Sequence, residues 1–458
     1  MITERLAHFV SESSAANIPQ EAIKFARLAS TDFLGVTLAG SKEEAGDILA
    51  ECVGKLGGTA QSGVVGKGFK TSPYLAALAN GTSGHALDYD DMSFAFGGHP
   101  SVSLAPTVLG VGESLGVSGI DVLAAYIVGF EVGACITGSS VVQSHYLQGW
   151  HSTGTVGSLG AAAAAARLLR LDAHQVRMAL GIAASLAGGL RQNFGTMTKP
   201  LHAGNSAANG VLAALLAQRG FTADENIIET PLGFARVFGC AGDVDWKKAA
   251  AHLGKSYRTA TAGITFKPYP SCGGTLGIIE SAINLKNQYQ PDPGKIDEIE
   301  LGISPFEGGV LIHHRPTKGL EGKFSAEYCA ARALVNGKVG LASFTDEQVR
   351  QPLVQRLIQR TKCVERYPMA VMGSEGAKGE SPQSVTIRLD DGAKYSDETL
   401  VRKGGPERPM SLQEFEDKYR DCSSLMLNEE AVNRSISLLR GLETLGNIRE
   451  LMETVTGM

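Results

Sequence analysis

The sequence predicts a mainly α protein: a large all-helical domain with a smaller α+β domain inserted into it. Three observations carry this. Apolar residues recur at helical spacing through most of the first half of the chain. Near residue 264 the texture changes to short alternating runs, and from Ser411 helical spacing returns. Residues 1–264 with 404–458 therefore read as one discontinuous helical domain, and 265–403 as an α+β lid domain. A chain of 458 residues has room for this, at roughly 100–200 residues per domain.

The elements follow in order. Ile18-Pro19 opens a helix, because proline suits a first helical position, and Ala22, Phe25, Ala26, Ala29 and Phe33 continue at helical spacing. Residues 156–170 are alanine-rich and end in basic residues that complement the helix dipole. Asp172 and Gln175 form a capping-box pattern, with an apolar stripe running on to Leu190. In the middle block Ile299, Leu301 and Ile303 alternate as in a strand. Val385, Ile387 and Leu389 do the same before an Asp391-Gly392 turn into 393–395. Helices are expected near 275–287, 324–336 and 346–361. Ser411 and Glu414 form a second capping box, with Leu412, Phe415 and Tyr419 on one face, and a last helix is expected at about 429–454.

Composition narrows the function classes. Charged residues make up 19% and hydrophobic ones 43%, which is globular rather than disordered. Net charge is −5 and no basic stripe is present, which argues against a nucleic-acid partner. Glycine, at 56 residues, is abundant and implies helices packed closely through small side chains. The two most apolar stretches, 101–117 and 120–137, are interrupted by Glu113, Asp121 and Glu131, so no membrane span is expected. The N-terminal MITERLAHFVSES has no apolar signal-peptide region. The seven cysteines, at 52, 135, 240, 272, 329, 363 and 422, include no C-x-x-C pair. A reduced, cytoplasmic compartment is the expectation.

Common cofactor signatures fail. Gly63-Val64-Val65-Gly66-Lys67-Gly68 is too short for a phosphate loop, and no Ser or Thr follows the lysine. Gly154, Gly157 and Gly160 recur every three residues, a packing pattern rather than a dinucleotide fingerprint. Ser158 lies in no G-x-S-x-G elbow, and no H-E-x-x-H exists. What remains is four polar clusters in an apolar background: 85–91 with 97–101, then 145–153, 193–204 and 267–275. Each joins an acid–base candidate to glycine or proline. Histidine suits proton transfer near neutral pH, and lysine can bind a carboxylate or hold a developing enolate. Plainer readings stand beside these. Asp90-Asp91 would charge a helix start, His99 would be structural and Lys199 a solvated loop residue. Cys272 would be a packing thiol, Tyr146 and Trp150 plain core, and His313-His314 surface.

At these clusters the chain resembles the MmgE/PrpD family, which contains 2-methylcitrate dehydratases, cis-aconitate decarboxylases and iminodisuccinate epimerase. The resemblance runs through Asp32-Phe33-Leu34-Gly35, His85–Asp91, His99-Pro100-Ser101, Gly149-Trp150-His151 and Asn193–Gly204. It continues in Lys267–Cys272, Lys323-Phe324-Ser325, Lys403-Gly404-Gly405-Pro406 and Asp421-Cys422. It implies a homodimer with the active site between a helical domain and a lid, no organic cofactor and no metal. It also implies that Asp88, His99, His151 and Lys199 match the decarboxylase's acid, two histidines and lysine. A third decarboxylase histidine falls at Cys272, its threonine falls at Met92, and the Asp88–His99 loop is one residue longer. These changes argue against cis-aconitate decarboxylation.

The expected catalytic set is therefore Asp88, His99, Tyr146, His151 and Lys199, with His85, Asp91, Lys267 and Cys272 contacting a small polycarboxylate. His151 or His99 would be base and acid. Lys199 would bind a carboxylate, Asp88 would orient a histidine, and Tyr146 would be a second acid. The leading expectation is dehydration of a 2-methylcitrate-like hydroxy-polycarboxylate. The alternatives are epimerisation of an iminodisuccinate-like dicarboxylate and a non-catalytic carboxylate-binding protein. A Mg²⁺ site at Asp88, Asp90 and Asp91 is a further, weaker idea.

Overall fold

The computed structural model describes residues 1–138, 141–239, 244–261, 263–369 and 381–457. The fold is mainly α. The first half gives α1 (Ile2–Glu12), α2 (Gln20–Gly40), α3 (Glu44–Leu56), α4 (Pro73–Ala86) and α5 (Ser101–Leu115). Then come α6 (Gly119–Thr137), α7 (Val141–Leu147), α8 (Ser152–Leu168), α9 (Ala173–Leu186) and α10 (Thr198–Gln218). Helices α5, α6 and α8 are buried nearly all round, so they read as apolar on every face. Helix α6 is long and apolar enough to cross a membrane by length and composition, but it lies inside the core. Its Glu131 is satisfied there by the backbone N–H groups of Arg258 and Thr259. Helices α4 and α10 touch backbone to backbone: a Cβ on Gly204 would stand 2.2 Å from the Leu78 carbonyl oxygen. Only glycine admits that approach.

One hydrophobic core gathers side chains from Ile2 to Phe266 and again from Phe415 to Val455. A second gathers mainly Cys272 to Ile387, with Tyr146 and Phe194 reaching in from the first half. The second core lies against a four-stranded sheet of order β4-β3-β5-β6. Its strands are β3 (Ile296–Ile303), β4 (Thr361–Glu365), β5 (Gln383–Leu389) and β6 (Lys394–Thr399). β3 pairs parallel to β4, Ile299 opposite Thr361, and antiparallel to β5, Ile299 opposite Ile387. The alternating Ile299, Leu301, Val385 and Ile387 are fully buried, as expected for a sheet covered on that face. The helices Leu276–Tyr289 and Ala326–Asn336 belong to this core.

Both capping boxes form, at Asp172/Gln175 and Ser411/Glu414. Several boundaries differ from expectation. The stripe running to Leu190 ends as a helix at Leu186, because Ala187 is extended and Gly189 has φ +125°, and Leu190 then pairs with Trp150. The expected helix at 429–454 is two, Glu429–Arg440 and Arg449–Thr456, parted by Gly441 and a short 3₁₀ turn. The stretch 346–361 breaks at Pro352, which restarts a helix to Gln359, and the edge strand β4 follows. Gly63–Gly68 lies in a hairpin of β1 (Ser62–Val64) and β2 (Phe69–Thr71). The six described cysteines are free thiols; Cys240 lies outside the described residues.

Candidate active site

Three long helices begin at one place. His99 and Pro100 lead into α5, His151 is the residue capping α8, and Lys199 sits in the first turn of α10. Helix N-termini carry positive potential, so this convergence favours an anion. Asp88 enters from the C-terminal end of α4, two residues beyond Ala86. Its φ is +50°, a left-handed conformation that costs a non-glycine residue about 1–2 kcal/mol. Such strain persists only where surrounding contacts impose it.

Those contacts are two ammonium groups. Lys267 Nζ donates to Asp88 Oδ1 at 2.6 Å and to its carbonyl oxygen at 2.8 Å. Lys199 Nζ stands 3.1 Å from the same Oδ1. Burial pushes the Asp88 carboxyl up, but Lys199 and Lys267 outweigh that and hold it well below the usual carboxylate range. Lys199 is 3% exposed, with the Phe324 and Phe194 rings 4.9 and 5.4 Å from its Nζ. Beyond Asp88, its ammonium finds no hydrogen-bond acceptor among the described residues. The solvated-loop reading of Lys199 is thus overturned.

Asp90 and Asp91 do not simply charge a helix start. Asp90 is fully buried and lies between two imidazoles, with His85 Nδ1 at 2.8 Å and His99 Nδ1 at 2.9 Å. His99 Nδ1 also stands 2.8 Å from the Asp91 carbonyl oxygen. A nitrogen between two acceptors must carry the hydrogen, so neutral His99 presents a bare Nε2. His85 is fixed the same way, and its buried Nε2 has no partner among the described residues. Burial, against the pull of Asp90, holds His85 down to about 3 and lowers His99 as well. His151 is held well below the imidazole range, first by burial and then by Lys199. The His85 ring lies 4.5 Å from His99 and 6.0 Å from His151, centroid to centroid.

A small cavity opens beside these imidazoles. His99, His151 and Tyr146 line it together with an apolar wall of Met92, Phe94, Cys272, Phe306 and Val310. The structure thus brings Asp88, His85, His99, Tyr146, His151, Lys199 and Cys272 into one neighbourhood. Burial raises both the Tyr146 phenol and the Cys272 thiol, so each holds its proton. Arg191 lies 4.2 Å over the Tyr146 ring.

Two of the expected substrate contacts have protein partners here. The Asp91 carboxyl turns to Ser101, accepting from its backbone N–H at 3.2 Å and from its hydroxyl, and so caps α5. The Lys267 ammonium is wholly buried on Asp88. The Mg²⁺ idea changes too. Among the described residues the donor atoms that converge within 4.8 Å belong to His85, Asp88, Asp90 and His99, not to Asp91. A divalent cation there would face Lys199 and Lys267 on Asp88, an unfavourable charge balance. His313 is no plain surface residue, since its Nε2 donates to the Phe194 carbonyl at 3.1 Å.

Four supports fall outside the expected catalytic and substrate-contacting residues. Asp90 bridges the two histidines. Lys323 donates to the carbonyls of Leu87 and Pro270 at 2.6 and 2.8 Å, and burial lowers it to about 8. Lys418 donates to the carbonyls of Tyr89 and Lys267 at 2.8 and 3.0 Å and pairs with Asp32 at 2.7 Å. His202 meets His151. The signal for Asp90 was the spacing to His85. Lys323 and Asp32 lay in the strings that carried the family resemblance. Nothing local marked Lys418.

Buried imidazoles with fixed tautomers, ion-paired ammonium groups and an adjoining cavity define a class of protein, an acid–base enzyme. Comparison with known proteins makes this specific. Residues 4–247 match the MmgE/PrpD N-terminal domain and residues 269–444 the MmgE/PrpD C-terminal domain. The chain belongs to the MmgE/PrpD family, whose relatives here are of lyase type. Among them are the cis-aconitate decarboxylase-like protein oryM of Aspergillus oryzae, 28% identical over all of this chain and 97% of its own length. Human cis-aconitate decarboxylase is 26% identical over all of this chain and 95% of its own. The Aspergillus terreus enzyme of that name is 27% identical over 99% and 95%.

Proposed function

We propose that the protein is a cofactor-independent lyase that removes a proton next to a carboxylate and dehydrates a 2-methylcitrate-like hydroxy-polycarboxylate. The observation that carries this is the two-sided cavity. One side offers His99 with a bare Nε2, His151 and the start of α8; the other is apolar. In this reading His99 takes the proton, and Lys199 holds a carboxylate and the enolate-like charge that develops. Asp88 keeps the two ammonium groups in place. His151 protonates the leaving hydroxyl, with Tyr146 as a second donor. The substrate's methyl group lies against Met92, Phe306 and Val310. The enzyme works as a homodimer in the reduced cytoplasm, with residues 265–403 closing as a lid.

A second reading, decarboxylation of a cis-aconitate-like acid, is favoured by the names of the relatives. Against it stand Met92 and Cys272, which replace the threonine and the third histidine that the resemblance assigns to the decarboxylases. Proton NMR in D₂O, with 2-methylcitrate, citrate, cis-aconitate, iminodisuccinate and malate, separates the readings. An alkene formed from 2-methylcitrate without CO₂ release is the expected result. CO₂ release from cis-aconitate would replace it with the decarboxylase reading. Deuterium entry with inversion and no alkene would mark an epimerase, and tight binding without exchange a carboxylate-binding protein.

A further inference from the structure

His151 and His202 meet through their Nδ1 atoms, 3.1 Å apart. Only one of the two can hold the hydrogen. If His202 holds it, His151 carries its own proton on Nε2, the nitrogen left for the cavity its ring lines. His151 is 2% exposed, whereas His202 is partly open to solvent. The pocket around His202 is built for it. Gly189 has φ +125°, and a Cβ there would stand 3.1 Å from the His202 Cγ. The backbone N–H of His151 donates to the Gly189 carbonyl at 2.9 Å, which ties His151 to the glycine that abuts the His202 ring. Phe194 and His85 flank the His151 ring at 5.0 and 6.0 Å.

A neutral imidazole that gives away its Nε2 proton becomes an anion unless Nδ1 gains one. We propose that His202 is the positioning residue of His151 and its proton relay to solvent. The inference rests on the reading of His151 as the acid. As His151 Nε2–H passes to the leaving hydroxyl, the His202 Nδ1 proton moves to His151 Nδ1. His202 then takes a proton from water at Nε2. The hydroxide left in water is neutralised by the proton that His99 releases. Recovery of the His151 Nε2 proton from water in the cavity drives the same transfers backwards. The titratable groups bearing on His202 are His151 and Lys199, and burial followed by Lys199 holds it down to about 4.

Two variants of the full-length protein test this. His202→Asn keeps an N–H donor near the Nδ1 position but cannot pass a proton through; His202→Leu removes both functions. The relay predicts that each lowers kcat on the order of 10²-fold, with KM changed less than about threefold. Imidazole added to the buffer should recover part of the His202→Leu loss. Full kcat in His202→Asn would overturn the relay and leave His202 a structural contact. Ring ¹⁵N NMR of His151 needs no substrate. Its tautomer signals should shift in His202→Leu, and unchanged signals would overturn the pairing itself. If the wild type turns over none of the acids, the proposed function fails while this spectroscopic outcome still decides the inference.

Discussion

Among the described residues two lysine–aspartate arrangements are buried, and they are opposites. Around Asp32, Lys418 is closed. Its ammonium pairs with the carboxylate, donates to two backbone carbonyls and lies 3.9 Å from the Tyr89 ring centroid. Around Asp88, Lys267 spends two donors on the carboxylate and the backbone carbonyl, whereas Lys199 has, among the described residues, only the shared carboxylate and two aromatic faces. A buried ammonium whose donors are all used is part of the frame. One with donors to spare, at the start of a helix, is ready for a carboxylate from outside.

The sharpest test of this contrast is Lys199→Ala. It should lower kcat/KM on the order of 10³-fold while leaving the melting temperature nearly unchanged, because Lys267 still neutralises Asp88. Unaltered kcat with unaltered substrate binding would end the distinction. Lys418→Met should do the reverse. Removing one partner of a buried pair costs about 3 kcal/mol or more, read by urea titration, and Asp32→Leu in the same chain should recover part of it. Next in size, Asp90→Asn should cost roughly 10²-fold in kcat, since an amide can turn its N–H toward the histidines and spoil their tautomers. A normal rate with normal pH dependence would mean Asp90 is only packing.

The smallest effect is a slope with pH. His85 is held down to about 3 and His145 and His202 to about 4, each by burial first. Unfolded, these histidines take up a proton near 6.5, so between about 4 and 6.5 the unfolded chain binds more protons than the folded one. Stability is therefore complete above 6.5 and is lost as pH falls through that window. Melting temperature followed by circular dichroism should decline from pH 6.5 toward 4. A flat profile would show that these imidazoles are charged in the native protein.

The sequence made some of this legible and concealed the rest for physical reasons. Helix starts at Pro19, Asp172 and Ser411 are written in local chemistry, and the structure keeps them. The alternating strands β3 and β5 are visible because one face of the sheet is covered. β4 is half-exposed and follows an amphipathic helix, so its pattern merges with that helix. In the site, His99, His151 and Lys199 stood out because each sits beside a helix start. Asp91 looked like a substrate contact because charge alone does not show which way a carboxyl turns. Lys418 lies 329 residues from Tyr89, and no local pattern marks so distant a contact.

That distance has a consequence for how the protein is made. The peptide around Asp88 leaves the ribosome before Lys267, and Lys267 before Lys418, yet all three meet on one loop. While the first half waits, Asp32 has no cation and Asp88 no ammonium clasp, so neither carboxylate can be enclosed without remaining hydrated or keeping a proton. The nascent helical layer must therefore stay wet at its future centre until the segment carrying Lys418 has been made. Closure of that wet seam thus waits on contacts between distant segments rather than on the formation of any single helix.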